Sequence, residues 1–188
     1  AYMLGPTGET SGIYRKQHLV PFGEYVPLRR ALFFVSPLVE TVAGFTAGTE
    51  SQALPLGERF VSTAICYAII YPALVRDLVL AGTDLLTTMT NDAWYGRTAA
   101  PYQHFQQARM RAIEQGRYLV RAANTGISGV IDPYGRVLAR SNLFEEAIVA
   151  EEVRLLTAVT LYGRMGDAPA YAGAAITLLA LGSRRRWM

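Results

Sequence analysis

The chain has 188 residues, of which 51% are apolar and 18% charged, with a formal net charge of +3. That length suits one well-buried core, and the composition excludes disorder and collagen-like or coiled-coil fibres. Apart from the run Arg184, Arg185 and Arg186 the basic residues are scattered, so no stripe tracks a phosphate backbone and no nucleic-acid partner is expected.

The chain opens at Ala1 inside a short strand, without the charged and apolar regions of a signal peptide, which reads as a fragment of a longer protein. Ala1 to Leu4 runs into the turn cluster Gly5-Pro6-Thr7-Gly8, and Gly12 to Leu19 is expected as the second arm of a hairpin. Val20 to Pro27 carries prolines that remove donors and restrict their predecessors, so it should be a shaped loop. Leu28 to Thr46 is apolar and weakly helical, interrupted at Ser36-Pro37. Arg59 to Cys66 reads as a buried strand, and Pro72 to Ala81 as a helix with proline in its first turn and Gly82 beyond its end. Cys66 thus lies between a strand and a helix.

Asp84 to Thr90 is the next expected strand, followed by the polar and aromatic loop Asn91 to Gly96. Pro101 to Gln115 is expected as a helix stopped by Gly116. Tyr118 to Ala122 and Gly126 to Ile131 read as strands. Asp132-Pro133-Tyr134-Gly135 is a turn into Val137 to Ala139, and Ala147 to Val153 is read as a further strand. Strands alternating with helices, then a hairpin, predict an α/β fold on a mixed sheet.

The tail is different in kind. Ala168 to Ser183 carries no charge and ends at the three arginines. As a helix it would span roughly 24 Å against a bilayer core of about 30 Å. Small residues, the lack of a polar stripe and the basic end favour a membrane helix; the alternative is a terminal helix docked on the domain.

Of eighteen basic residues seventeen are arginine, so the single lysine, Lys16, stands out. An ammonium is a compact, titratable point charge that can stabilise an oxyanion or shuttle a proton; the plainer reading is a surface lysine. Cys66 is the only cysteine, which excludes an intrachain disulfide and a Cys-rich zinc site. It is either core filler or a nucleophile. At a strand-to-helix turn a thiolate would meet backbone N–H groups, including that of Tyr67, and the positive end of a helix. His18 and His104 are the rival bases for a Cys–His pair, with His104 expected on a surface face of its helix. Glu24 sits in the proline-framed loop as a solvent-facing, loop-fixing or catalytic carboxylate, and Trp94 is either core packing or an apolar substrate wall.

Four segments in order carry a resemblance. They are Tyr14 to Pro27, Ile65-Cys66-Tyr67, Thr90 to Gly96, and Thr160 to Asp167 ahead of the apolar tail. Together they resemble the apolipoprotein N-acyltransferases, bacterial inner-membrane members of the nitrilase superfamily. The resemblance implies a nitrilase-like α-β-β-α sandwich, present in part over residues 1–160 and facing the periplasm. It further implies a transmembrane helix at 168–183 and a basic cytoplasmic tail at 184–188. The implied reaction belongs to lipoprotein biosynthesis and needs no metal or cofactor. A fatty acyl group passes from a phospholipid donor onto cysteine as a thioester, then to the N-terminal amine of a diacylated apolipoprotein.

By resemblance Lys16 matches the catalytic lysine and Cys66 the nucleophile, while Glu24, Tyr67 and Trp94 match supporting positions. The general-base glutamate of the triad would lie upstream of Ala1. Ala68 departs from the family pattern, which has glutamate two residues after the nucleophile, and this form is therefore expected to be impaired. A soluble nitrilase-type amidase and a non-catalytic membrane-attached binding module are the alternative functions.

Overall fold

The computed structural model describes residues 1–28 and 45–184. Most of the expected weak helix from Leu28 to Thr46 lies outside them. An antiparallel ribbon of β1 (Tyr2–Leu4) and β2 (Thr10–Ile13) sits beside a six-stranded sheet. That sheet holds β3 (Leu54–Leu56), β4 (Arg59–Ile65), β5 (Leu85–Asn91), β6 (Leu119–Asn124), β7 (Gly129–Ile131) and β8 (Val137–Arg140), in sequential order. The central strands β4, β5 and β6 are parallel, and β3, β7 and β8 pair antiparallel at the flanks. This is the mixed α/β sheet that the sequence predicts.

The two crossovers are α1 (Pro72–Leu80) and α2 (Ala100–Gln115), which pack on each other over one face of the sheet. Proline opens both helices, where its missing N–H costs nothing. Gly116 ends α2 with φ +62, and a Cβ there would run into the Thr160 methyl group, so glycine is needed twice over. Val75 and Leu78 of α1 and Phe105 and Ala112 of α2 pack with Ala64, Leu86 and Leu119 of the sheet in one core. On the opposite face exposure rises toward the carboxyl ends of the strands, where Met89 is 42% exposed. Among the described residues the helical layer and one large sheet make up part of an α/β sandwich.

Several expectations need correction. Residues 147–153 form no strand and pair with none of the sheet's edges. The sequence reading assigned no element to Leu54–Leu56; it forms β3 at the edge of the sheet, where the donor that Pro55 lacks is not needed. The second arm of the hairpin stops at Ile13, since the chain then turns into the loop around Lys16.

The segment from Thr160 folds into a short helix α3 (Leu161–Met165), capped by the Thr160 hydroxyl accepting from the Gly163 N–H at 2.9 Å. Arg76 of α1 donates to the Gly163 and Arg164 carbonyls at 2.7 and 3.1 Å, which anchors the segment to the domain. Helix α4 (Ala168–Arg184) follows, and 168–183 are exposed throughout. It does not dock on the domain. Its 17 residues reach about 26 Å, and no helix among the described residues is long and apolar enough to cross a membrane.

Candidate active site

Parallel strands bring their carboxyl ends to one edge, where α/β proteins place their ligands. Cys66 follows β4 on that edge, and Asp92, Trp94 and Tyr95 follow β5. Cys66 has φ +55, a left-handed conformation that an L-residue adopts at a cost of order 1–3 kcal/mol. The turn lifts a half-buried thiol at the end of a buried strand. Behind it comes a five-residue 3-10 turn, Cys66–Ile70, before the expected helix begins at Pro72. The dipole of so short a turn is small, so more of any thiolate or oxyanion stabilisation falls to side chains.

Lys16 is not an idle surface lysine. Its Nζ lies 2.6 and 2.8 Å from the two Glu24 carboxylate oxygens, and the lysine side chain is only 10% exposed. Glu24 Oε2 also accepts from the Val20 N–H at 2.8 Å, and the Glu24 N–H donates to the Val20 carbonyl at 2.8 Å. Glu24 therefore fixes the loop and holds the ammonium in it. The loop meets the Cys66 turn through His18, whose ring centroid is 3.7 Å from that of Tyr71; Tyr71 in turn meets Tyr67 edge-on at 5.7 Å. His18 thus packs on an aromatic ring. Burial pushes the Tyr71 phenol up, and charge on Tyr67 and Tyr25 adds to the shift.

A second cluster lies under the loop after β5. Asp92 is buried with Oδ2 2.8 Å from Arg121 Nη2, Oδ1 3.0 Å from His104 Nδ1, and Oδ1 accepting from the Thr90 hydroxyl at 2.9 Å. Burial acts to raise the Asp92 carboxyl, but the His104 hydrogen bond and the Arg121 charge outweigh it and hold it below the ordinary carboxylate range. Arg121 also donates to the Ile127 carbonyl at 3.1 Å. Burial lowers its guanidinium, with Asp92 and then the Cys66 charge acting in the opposite sense. Tyr95 is raised by burial and then by Cys66 charge, so thiol, phenol and guanidinium share one electrostatic neighbourhood. Gly126 lets the loop after β6 close down, because a Cβ there would strike the Asp92 carboxylate.

His104 corrects its expectation: it is 5% exposed and turned inward, because a carboxylate waits beneath its helix. The sequence reading missed Asp92 and Arg121. The signal was present in an Asp after a strand and an Arg within an otherwise apolar one. Trp94 is 86% exposed and belongs to no core. Tyr67 lines a cleft of about 320 Å³ together with Ile70, Tyr95, Gln103, His104 and Gln107. Ala68 is fully buried in the apolar core. Among the described residues no group of acidic, histidine or cysteine side chains is arranged to hold a metal ion.

Comparison with known proteins places these features. The sequence pattern of the carbon-nitrogen hydrolases matches residues 1–160. The chain is 44% identical over 189 residues to an apolipoprotein N-acyltransferase of Geobacter metallireducens, covering 99% of this chain and 36% of that protein. It is 43% identical over 193 residues to one of Bradyrhizobium diazoefficiens, covering 98% and 35%. The chain thus spans about a third of the length of these curated relatives. Among solved structures, a carbon-nitrogen hydrolase from Helicobacter pylori superposes with a TM-score of 0.57 at 18% identity, over 76% of this chain and 52% of that one. An amidase mutant from Nesterenkonia sp., with an acetamide moiety added at its active-site cysteine, superposes with a TM-score of 0.55 at 23% identity, over 76% and 50%. These structural likenesses bear on the fold.

Proposed function

The chain belongs to the carbon-nitrogen hydrolase family, and from that premise we propose that it forms the cysteine-bearing part of an apolipoprotein N-acyltransferase. The observation that carries the reading is Cys66, held at φ +55 after β4 on the carboxyl edge of the sheet, within electrostatic range of Tyr95 and Arg121.

In the first step the Cys66 thiolate attacks a phospholipid ester carbonyl. A C–S bond forms and the ester C–O bond breaks. The lysophospholipid leaves as an alcohol, taking the proton that the general base removed from the thiol. In the second step the amine of a diacylated apolipoprotein attacks the thioester: a C–N bond forms, the C–S bond breaks, and the base takes the amine proton. Lys16 stabilises the oxyanion of both steps. An ammonium has three protons, and Glu24 engages it through two oxygens, which leaves one proton for the substrate. Tyr67 and Trp94 line the approach to the thioester. The general base comes from the remaining two thirds of the fuller protein.

We place the catalytic domain in the periplasm and α4 in the inner membrane, with Arg184 to Arg186 cytoplasmic. Supporting this, 168–183 are uncharged and wholly exposed, with Leu178 at 70% and Leu179 at 74%. A helix apolar on every side and unpacked on its own domain is suited to lipid. Ala68 replaces a carboxylate near the thiol and impairs turnover.

The test is N-acylation of a diacylated lipopeptide by the full-length protein in phospholipid vesicles. Product that disappears with Cys66→Ser supports the reading. Undiminished product with that variant, or hydrolysis of small amides in place of acyl transfer, overturns it.

A further inference from the structure

Two buried polar atoms near the Cys66 turn have no hydrogen-bond partner among the described residues: Nε2 of His104 and Nη1 of Arg121. Buried polar atoms are almost always satisfied, so each orphan calls for an explanation. Arg121 is otherwise anchored, by Asp92 and by the Ile127 carbonyl. His104 is the more telling, because it lines the cleft that Tyr67 shares.

Its geometry decides what Nε2 can do. Asp92 accepts from Thr90 and pairs with Arg121, and its carboxyl is held below the ordinary range, so it is an ionised acceptor. The 3.0 Å contact with His104 Nδ1 therefore makes Nδ1 the donor. Arg121 Nη2, which already donates to Asp92 Oδ2 at 2.8 Å, stands 3.2 Å from the same nitrogen. With the proton on Nδ1, that tautomer leaves an acceptor at Nε2, on the side away from Asp92. Along the cleft, Gln103 and Gln107 lie one helical turn apart on α2, and each side-chain amide both donates and accepts. Such a wall matches a chain of peptide amides better than a hydrocarbon tail or a phosphate.

We propose that the cleft between the Cys66 turn and α2 is the acceptor subsite, in which His104 Nε2 accepts a hydrogen bond from an N–H of the incoming lipopeptide. The inference rests on the acyltransferase reading and deepens it. Asp92 and Arg121 are positioning residues that fix the tautomer and the ring. His104 itself acts after the thioester has formed, orienting the acceptor amine toward Cys66.

The experiment separates the half-reactions in the full-length protein. Phospholipid vesicles load Cys66 with acyl chain, and a diacylated lipopeptide with a free amine is then added. His104→Phe should load within about threefold of the parent yet show an acceptor KM raised about tenfold, the worth of one buried hydrogen bond. His104→Gln, which restores an acceptor, should recover most of the loss. Equal losses in loading and transfer in both variants would make His104 merely structural and overturn the inference, as would an unchanged acceptor KM. A second measurement uses Cys66→Ser with its histidines labelled with nitrogen-15, so that it depends on neither catalysis nor the folding of a His104 variant. Lipopeptide should move the His104 Nε2 resonance, and an unmoved resonance overturns the proposal. If the parent never loads Cys66 while the lipopeptide still shifts Nε2, the acyltransferase reading falls and the subsite stands.

Discussion

Two ion pairs serve the neighbourhood of Cys66, and they are built differently. Lys16 and Glu24 meet on an irregular loop with side chains 10% and 23% exposed, whereas Asp92, just past the end of β5, meets Arg121 inside β6 with both side chains fully buried. The arginine is a planar fork that grips a carboxylate and a backbone carbonyl at once, and water cannot replace either partner. The lysine is a point charge with a proton to spare, held by one carboxylate at the rim. On the proposed mechanism the first pair exchanges a partner during the reaction, while the second keeps the frame still. The same division explains the composition. Arg76, Arg111 and Arg117 also cap backbone carbonyls, which a fork does well, and the single lysine is found where a compact charge is needed.

Breaking the buried pair should have the largest effect. Arg121→Met leaves the Asp92 carboxylate without its cation and should cost about 3–5 kcal/mol of stability in chemical denaturation. A loss under 1 kcal/mol would show that the pair is not a frame. Breaking the outer pair should instead spare stability and strike the rate. Lys16→Arg in the full-length protein keeps the charge but misplaces it, with a loss of about 10²–10³ in acyl transfer and little change in Tm. Activity within a few-fold of the parent would remove Lys16 from the mechanism.

Two smaller effects sharpen the contrast. Asp92 is held below its ordinary range in the folded protein, so its contribution to stability is present above the unfolded carboxylate pKa. It is lost as pH falls through the lower folded value. Acid titration of Tm should therefore fall less steeply in Asp92→Asn than in the parent, and identical acid limbs would contradict it. At Ala68, where the side chain is fully buried, Ala68→Glu should raise lipopeptide acylation while lowering Tm, because the carboxylate enters an apolar core. Acylation that stays unchanged would show that the glutamate is dispensable.

The fold was legible wherever period and punctuation agreed. The crossovers β4-α1-β5-α2-β6 follow from buried β-branched runs broken by Pro72, Gly82, Pro101 and Gly116. The expected strand at 147–153 failed because alternation prescribes an extended chain and not a pairing partner. Lys16 and Cys66 were visible through their rarity, and Glu24 through its apolar surroundings. Asp92, Arg121 and the inward turn of His104 were not, since His104 on α2 and Arg121 on β6, 12 and 29 positions from Asp92, reach it only once the helix packs on the sheet and β6 pairs with β5. The tail shows the same limit: its apolar composition was plain, but its failure to pack on the domain is a tertiary fact.

The central claim is that Cys66 carries the acyl group, and mass analysis of the full-length protein tests it directly. After incubation with phospholipid vesicles and no acceptor, the peptide containing Cys66 should gain the mass of one fatty acyl chain. The adduct should be cleaved by hydroxylamine and be absent from Cys66→Ser. An adduct that persists in Cys66→Ser, or a Cys66 peptide that stays unmodified while lipopeptide is acylated, would contradict the account.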